Sequence, residues 1–160
     1  VSDAKALYDE DFVAWSKDQA EALRTEARAG SNRKLDWENL AEEIESLGKS
    51  QRHELRSQVR RVIEHLLKLE YSPAIDPRRG WCEFISDARN EIDLILDDSP
   101  SLRREVGDAI AIGLKPAART AIFALEGHGE LNAVTRTRVQ ATTYTEEQIL
   151  GDWFPPEPRA

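Results

Sequence analysis

Glu42 and Glu45 stand three positions apart, a spacing that on a helix turns both carboxylates to one side and could offer oxygens to a hard cation. Metal sites in helical bundles ordinarily add Glu-x-x-His pairs from further helices. The chain has no such pair. His53-Glu54 is followed by Ser57 where a zincin helix needs its second histidine, and His53, His65 and His128 are far apart in sequence. Solvated carboxylates are the simpler account, and neither a metal nor a cofactor is expected. Cys82 offers a different chemistry. It falls in the first turn of a helical segment, where the positive helix end lowers a thiol pKa, and a hairpin could bring it beside His65 as a Cys-His dyad. No third orienting residue or oxyanion loop accompanies it, so a small filler beside Trp81 is the expected role. Gly48-Lys49-Ser50 copies the end of a phosphate-binding P-loop, but the position that needs the earlier glycine is Glu43.

Lys49, Arg52, Arg56 and Arg60 step along one side of a helical segment and could hold phosphate, RNA or an acidic partner protein. No glycine-rich loop or aromatic platform accompanies the stripe. An acidic segment with Glu83, Asp87, Glu91, Asp93, Asp97 and Asp98 should fold back beside it, so intramolecular charge pairing is expected. The whole chain points the same way. Thirty acidic against 22 basic residues give a net charge of -8, which would repel a nucleic-acid duplex or an anionic bilayer.

The elements that must position these groups are helical, because apolar residues recur at steps of three and four while strand alternation is nearly absent. Segment one, residues 11–29, carries Phe12, Trp15, Ala22 and Leu23 and stops at Gly30-Ser31-Asn32. Segment two starts at Asp36 as cap, with Leu35 placed to staple onto Leu40. It runs through Trp37, Leu40, Ile44 and Leu47, then Leu55, Val59, Val62, Leu66 and Leu69, to Tyr71. Gly48 is its weak point, where a bend is possible. Segment three, residues 80–98, carries Trp81, Phe84, Ile85, Ile92 and Ile95. Segment four takes Ser99 as cap and Pro100 as first residue, runs to Leu125, and should kink at Pro116. Residues 131–143 are β-branched and weakly patterned and read as a loop or extended arm. Thr145 to Leu150 opens as a capping box, and the tail from Trp153 through Pro158 should tuck its aromatics against the bundle.

These segments predict an all-α bundle of about four main helices, with one long central helix and a short C-terminal one, forming a single domain over residues 1–160. With 40% hydrophobic residues in 160, the chain can bury a sizeable core. The lone Cys82 cannot close an internal disulfide, and no basic-then-apolar leader opens the sequence, so the cytoplasm is the expected compartment. The longest apolar runs, such as Ala109 to Leu114, fall far below the roughly 20 residues that span a bilayer.

Five stretches carry a resemblance. They are Leu7-Tyr8-Asp9-Glu10-Asp11-Phe12-Val13-Ala14-Trp15, Leu35-Asp36-Trp37-Glu38-Asn39-Leu40-Ala41-Glu42-Glu43-Ile44-Glu45-Ser46-Leu47-Gly48, and His65-Leu66-Leu67-Lys68-Leu69-Glu70-Tyr71 with Pro73. The others are Asp98-Ser99-Pro100-Ser101-Leu102 and Tyr144-Thr145-Glu146-Glu147-Gln148-Ile149-Leu150. Together they resemble the bacterial "domain of unknown function 29" family over nearly the whole chain. The resemblance implies a mostly helical bacterial protein and supplies no activity, ligand or catalytic residue. Cys82 departs from the basic residue the family pattern implies after the tryptophan. Glu43, Glu45, His65, Lys68 and Tyr71 occupy the family-like motifs and, with Glu42, form a candidate polar cluster. The expected function is non-catalytic protein–protein interaction, with an unidentified protein or by self-association. The alternative is an enzyme or metal-binding protein that uses Glu42, Glu43, Glu45 and His65 in one cleft between helices.

Overall fold

A computed structural model describes residues 3–30 and 33–157. The Ser31-Asn32 part of the expected helix stop and Pro158 of the tail lie outside the described residues. Within them are seven α-helices and a 3-10 turn, and no strand: α1 (Ala4–Glu10), α2 (Phe12–Arg28), α3 (Trp37–Tyr71), α4 (Arg78–Asp98), the turn Pro100–Glu105, α5 (Val106–Gly127), α6 (Ala133–Ala141) and α7 (Glu146–Leu150). No described helix is long and apolar enough to cross a membrane. The chain forms two compact units. One comprises Val1–Glu54 with Leu94–Arg104, the other Leu55–Asp93 with Glu105–Ala160.

In the first unit Asp11 does two jobs. Its backbone N–H closes α1 on the Leu7 carbonyl, and its side chain accepts from Ala14 N at 2.8 Å to open α2. α1 was not separable by periodicity, because seven residues hold too few apolar repeats. Its Tyr8 nevertheless joins a ring cluster, 4.8 Å from Trp15 and 5.9 Å from Phe12, both edge-on. At the far end of α2, Gly30 sits at φ +71°, where a side chain would be strained, and this ends the helix.

Ser99 departs from its expected role. Its Oγ accepts from Val13 N across the unit at 3.3 Å, and Leu102 N donates to its carbonyl, so a 3-10 turn intervenes before α5 begins at Val106. The Ser101 N–H is taken instead by Asp11 Oδ2 at 2.6 Å.

Asp36 caps α3 as expected, accepting from Asn39 N at 3.2 Å, and the helix runs unbroken through Gly48. The packed face is different from the expected one. Ala41 and Gly48 are buried, whereas Leu40 is 41% and Leu47 50% exposed, and Leu35 is exposed as well. The cause is close approach. A Cβ on Gly48 would run into Ser16 Oγ, which is buried and donates to the Val13 carbonyl at 2.9 Å, so small residues face α2 and the leucines turn away. Alanine at position 48 should therefore gain about 1 kcal/mol of helix propensity only where Ser16 is shortened. In a double-mutant cycle, Gly48→Ala is expected to be at least about 1 kcal/mol more favourable in a Ser16→Ala background than with Ser16 present, measured by denaturant unfolding. Additive effects would contradict the packing.

The second unit is built on the rest of α3. Leu55, Val59, Val62, Ile63, Leu66 and Leu69 are buried, together with Ile85, Ala88 and Ile92 of α4. α5 faces this core with four alanines beside Val106, Ile110, Ile122 and Leu125, and Gly113 brings it close to α3, since a Cβ there would lie 3.6 Å from Arg60 Cα. α5 continues through Pro116. Residues 131–143, read as a loop or extended arm, instead contain α6. Asn132 caps it by accepting from Thr135 N at 2.8 Å, the hydroxyl of Thr137 donates back to the Ala133 carbonyl, and Val139 is fully buried. Capping and packing on α5 override the weak propensity of its valines and threonines. α7 opens with the expected capping box of Thr145 and Gln148. The tail does tuck in: Trp153 is half-buried, 6.1 Å from the Tyr144 ring.

Candidate functional site

Glu42, Glu43 and Glu45 belong to the first unit, and His65, Lys68 and Tyr71 to the second. Glu42 and Glu43 are exposed. Glu45 is held by Arg24 Nη2 at 2.8 Å and by Lys49 Nζ at 3.7 Å, and the Arg24 hydrogen bond, then Lys49, keeps its carboxyl below the usual range. Its charge is committed to an ion pair. Among the described residues no group of three or more His, Cys, Asp or Glu side chains is placed to hold a metal.

His65 lies against Phe84, ring centroids 5.0 Å apart, and its Nδ1 donates to the Arg61 carbonyl at 2.8 Å. Burial, the largest influence, pushes its pKa below the ordinary 6.5. A base with a depressed folded pKa binds fewer protons folded than unfolded. Its contribution to stability is thus present above about pH 6.5 and lost as pH falls through the lower folded value. His65→Gln should flatten that limb of the stability–pH curve, as read by thermal melts between pH 7 and 5; an unchanged slope would count against it. Cys82 is half-buried and within electrostatic reach of Arg89, and no hydrogen bond joins it to His65 among the described residues.

Lys68 Nζ pairs with Glu64 at 2.7 Å, one turn away on α3. Tyr71 OH lies 2.6 Å from Thr142 Oγ1, and because that hydroxyl already donates to the Arg138 carbonyl, Tyr71 is the donor. Tyr71 is thus a fastener between the end of α3 and the end of α6. Of the basic stripe, Lys49 answers Glu45, Arg52 and Arg56 are half-buried with Arg52 engaged, and Arg60 is exposed. The expected pairing of basic α3 with acidic α4 takes another form. Lys68 and Arg79 find Glu64 and Glu83 on their own helices, and Arg61 lies 5.8 Å over the ring of Phe84.

Two concavities open on the second unit. One, of about 340 Å³, is lined by Lys68, Pro77, Trp81, Leu125, His128 and Glu130, and the Glu130 carboxylate is fixed there by the buried Ser72 hydroxyl at 2.7 Å. The other, of about 510 Å³, is a groove between α5 and α6. Ala111, Leu114, Ala118 and Ile122 form its floor and Lys115 and Arg119 its rim. The α6 side contributes Arg136, which is ion-paired with Glu126, and Gln140. Ile112, 54% exposed, and Phe123, 79% exposed, stand on α5 beside that rim. Eleven residues, three turns, separate them, so they share one line on the helix surface.

Sequence reasoning missed this face. The signal lay in Ile112 and Phe123 themselves, two large apolar residues outside the register of the buried stripe of Val106, Ile110, Ala117, Ala121 and Leu125.

Residues 7–154 match the family described as "Domain of unknown function DUF29". A crystal structure of an alpha-helical protein of unknown function from Rhodospirillum rubrum superposes on this chain with a TM-score of 0.73 and 24% identity, covering 89% of this chain and 88% of that one. The likeness is one of fold. No curated protein is significantly similar to the chain. The chain belongs to the DUF29 family.

Proposed function

We propose that this chain is a non-catalytic protein-interaction module that works through the α5–α6 face. The observation that carries the reading is the alignment of exposed Ile112 and Phe123 beside a groove with an apolar floor. Single exposed apolar side chains need no explanation, whereas two on one line of a helix beside a concavity with an apolar floor are the kind of surface that partner binding buries. The polar groups in contrast are engaged: Glu45, Lys68 and Tyr71 each hold a neighbouring side chain. A catalytic constellation would need a base and a nucleophile within hydrogen-bond reach of each other.

The test compares tagged wild type with Ile112→Ser/Phe123→Ser as bait in the native host. Both side chains are exposed, so the variant should melt within about 1 kcal/mol of wild type. A protein retained stoichiometrically by wild type and lost by the variant is the expected result. Equal retention by both would overturn the reading.

A further inference from the structure

We propose that the α5–α6 groove takes one amphipathic helix of a partner protein, with the apolar edge of that helix on the groove floor and its carboxylates on Lys115 and Arg119. This rests on the interaction reading above and names the chemistry of the partner.

The floor residues Ala111, Leu114, Ala118 and Ile122 follow steps of three, four and four, so they form one line along α5 about 16 Å long. A partner helix presenting apolar anchors at i, i+3 or i+4, and i+7 spans the same length. Two of the four floor positions are alanine. The short side chain of exposed Ala111 leaves room for a leucine- or phenylalanine-sized anchor within a groove of about 510 Å³.

Charge selects the sign of the partner. Lys115 and Arg119 are one turn apart on α5, both exposed, and neither has an ion pair among the described residues. The third basic group of the groove, Arg136, is already bound to Glu126. A pair of free cations on a chain of net charge -8 is a local feature, read within a screening length of about 8 Å at physiological salt. It therefore favours acids seated in the groove rather than acids arriving at any other surface. Nucleic acid fits less well, since the overall charge opposes a polyanion and no aromatic ring lines the groove.

The experiment uses the full chain and a displayed library of 18-residue helical peptides with a fixed apolar edge and randomised polar positions. The expected outcome is enrichment of Asp or Glu at two positions one turn apart flanking that edge. The selected peptide should weaken at least tenfold on Lys115→Glu/Arg119→Glu, and a peptide with its two acids changed to lysine should regain affinity for that variant. Thermal melts establish that the charge-reversed protein is folded. Peptides that protect α5 and α6 from hydrogen exchange, yet show neither acid enrichment nor a response to charge reversal, would overturn this inference and leave the interaction reading standing. Binders that protect other surfaces only, or no binders, would overturn both. A concentration-dependent mass by light scattering that Lys115→Glu/Arg119→Glu abolishes would give the groove to a second copy of this chain and overturn the foreign partner.

Discussion

Replacing Arg89 with methionine is expected to destabilise the protein by about 3–5 kcal/mol, the cost of stripping three charge-assisted hydrogen bonds from one buried and two half-buried carbonyls. Arg89 is only 7% exposed. Its Nε donates to the Ile149 carbonyl at 3.0 Å, and its Nη2 donates to the carbonyls of Gln148 at 2.8 Å and Trp153 at 2.7 Å. The guanidinium also lies 4.9 Å over the ring of Phe154. Burial lowers its pKa, as its largest influence, but an arginine stays charged, and its compensation is the ring of carbonyl dipoles at the end of α7. Methionine fills similar volume and supplies no donor, so three carbonyls lose their partner. The melting temperature should fall on the order of 10 °C. Arg89→Lys keeps the charge and loses the fork, and should cost about half as much. Because Trp153 is held through its carbonyl, its fluorescence should shift to the red in the methionine variant before the main unfolding transition. A variant within about 1 kcal/mol of wild type would mean that the tail is held by its aromatic contacts alone.

The second large effect is expected at Asp11, where alanine should cost about 2–4 kcal/mol. One carboxylate serves three donors: Oδ1 accepts from Ala14 N at 2.8 Å and from Ser101 Oγ at 3.0 Å, and Oδ2 accepts from Ser101 N at 2.6 Å. Loss of the helix cap accounts for about 1 kcal/mol and the stranded Ser101 amide for about 1.5–3 more. Val13 N is paired in the opposite direction with Ser99 Oγ. The start of α2 and the turn after α4 thus cap each other, and loss of Asp11 releases both. Asp11→Asn retains one acceptor oxygen and should lie midway. Urea unfolding of the three proteins checks the order, and an alanine variant within 0.5 kcal/mol of wild type would show that solvent replaces the carboxylate.

Much of the fold is legible in the residues because helix periodicity and caps are local. Asp36, Thr145 with Gln148, and the line from Leu55 to Leu69 each specify their element without reference to the rest of the chain. What was not legible depends on neighbours. The inward turn of Ala41 and Gly48 in place of Leu40 and Leu47 follows from how closely α2 approaches, which no pattern within α3 records. α6 forms because Asn132 caps it and α5 covers Val139, against the propensity of its own residues. Ser99 has the chemistry of a cap and serves a different helix from the one its position suggests.

The candidate site was the least legible part. Glu42, Glu43, Glu45, His65, Lys68 and Tyr71 share one helix and motifs of the family, yet the structure commits Glu45, His65, Lys68 and Tyr71 to local partners and leaves Glu42 and Glu43 at the surface. Polar side chains that fasten helices and those that meet a partner look alike in sequence.

Photo-cross-linking in the native host from a reactive side chain placed singly at position 112, 123 or 21 reads directly whether the α5–α6 face meets a partner, with Glu21 an exposed control on α2. A discrete adduct with one protein is expected from positions 112 and 123 and none from 21. Adducts from position 21 alone, or from none of the three while the protein is folded and expressed, would contradict the interaction reading.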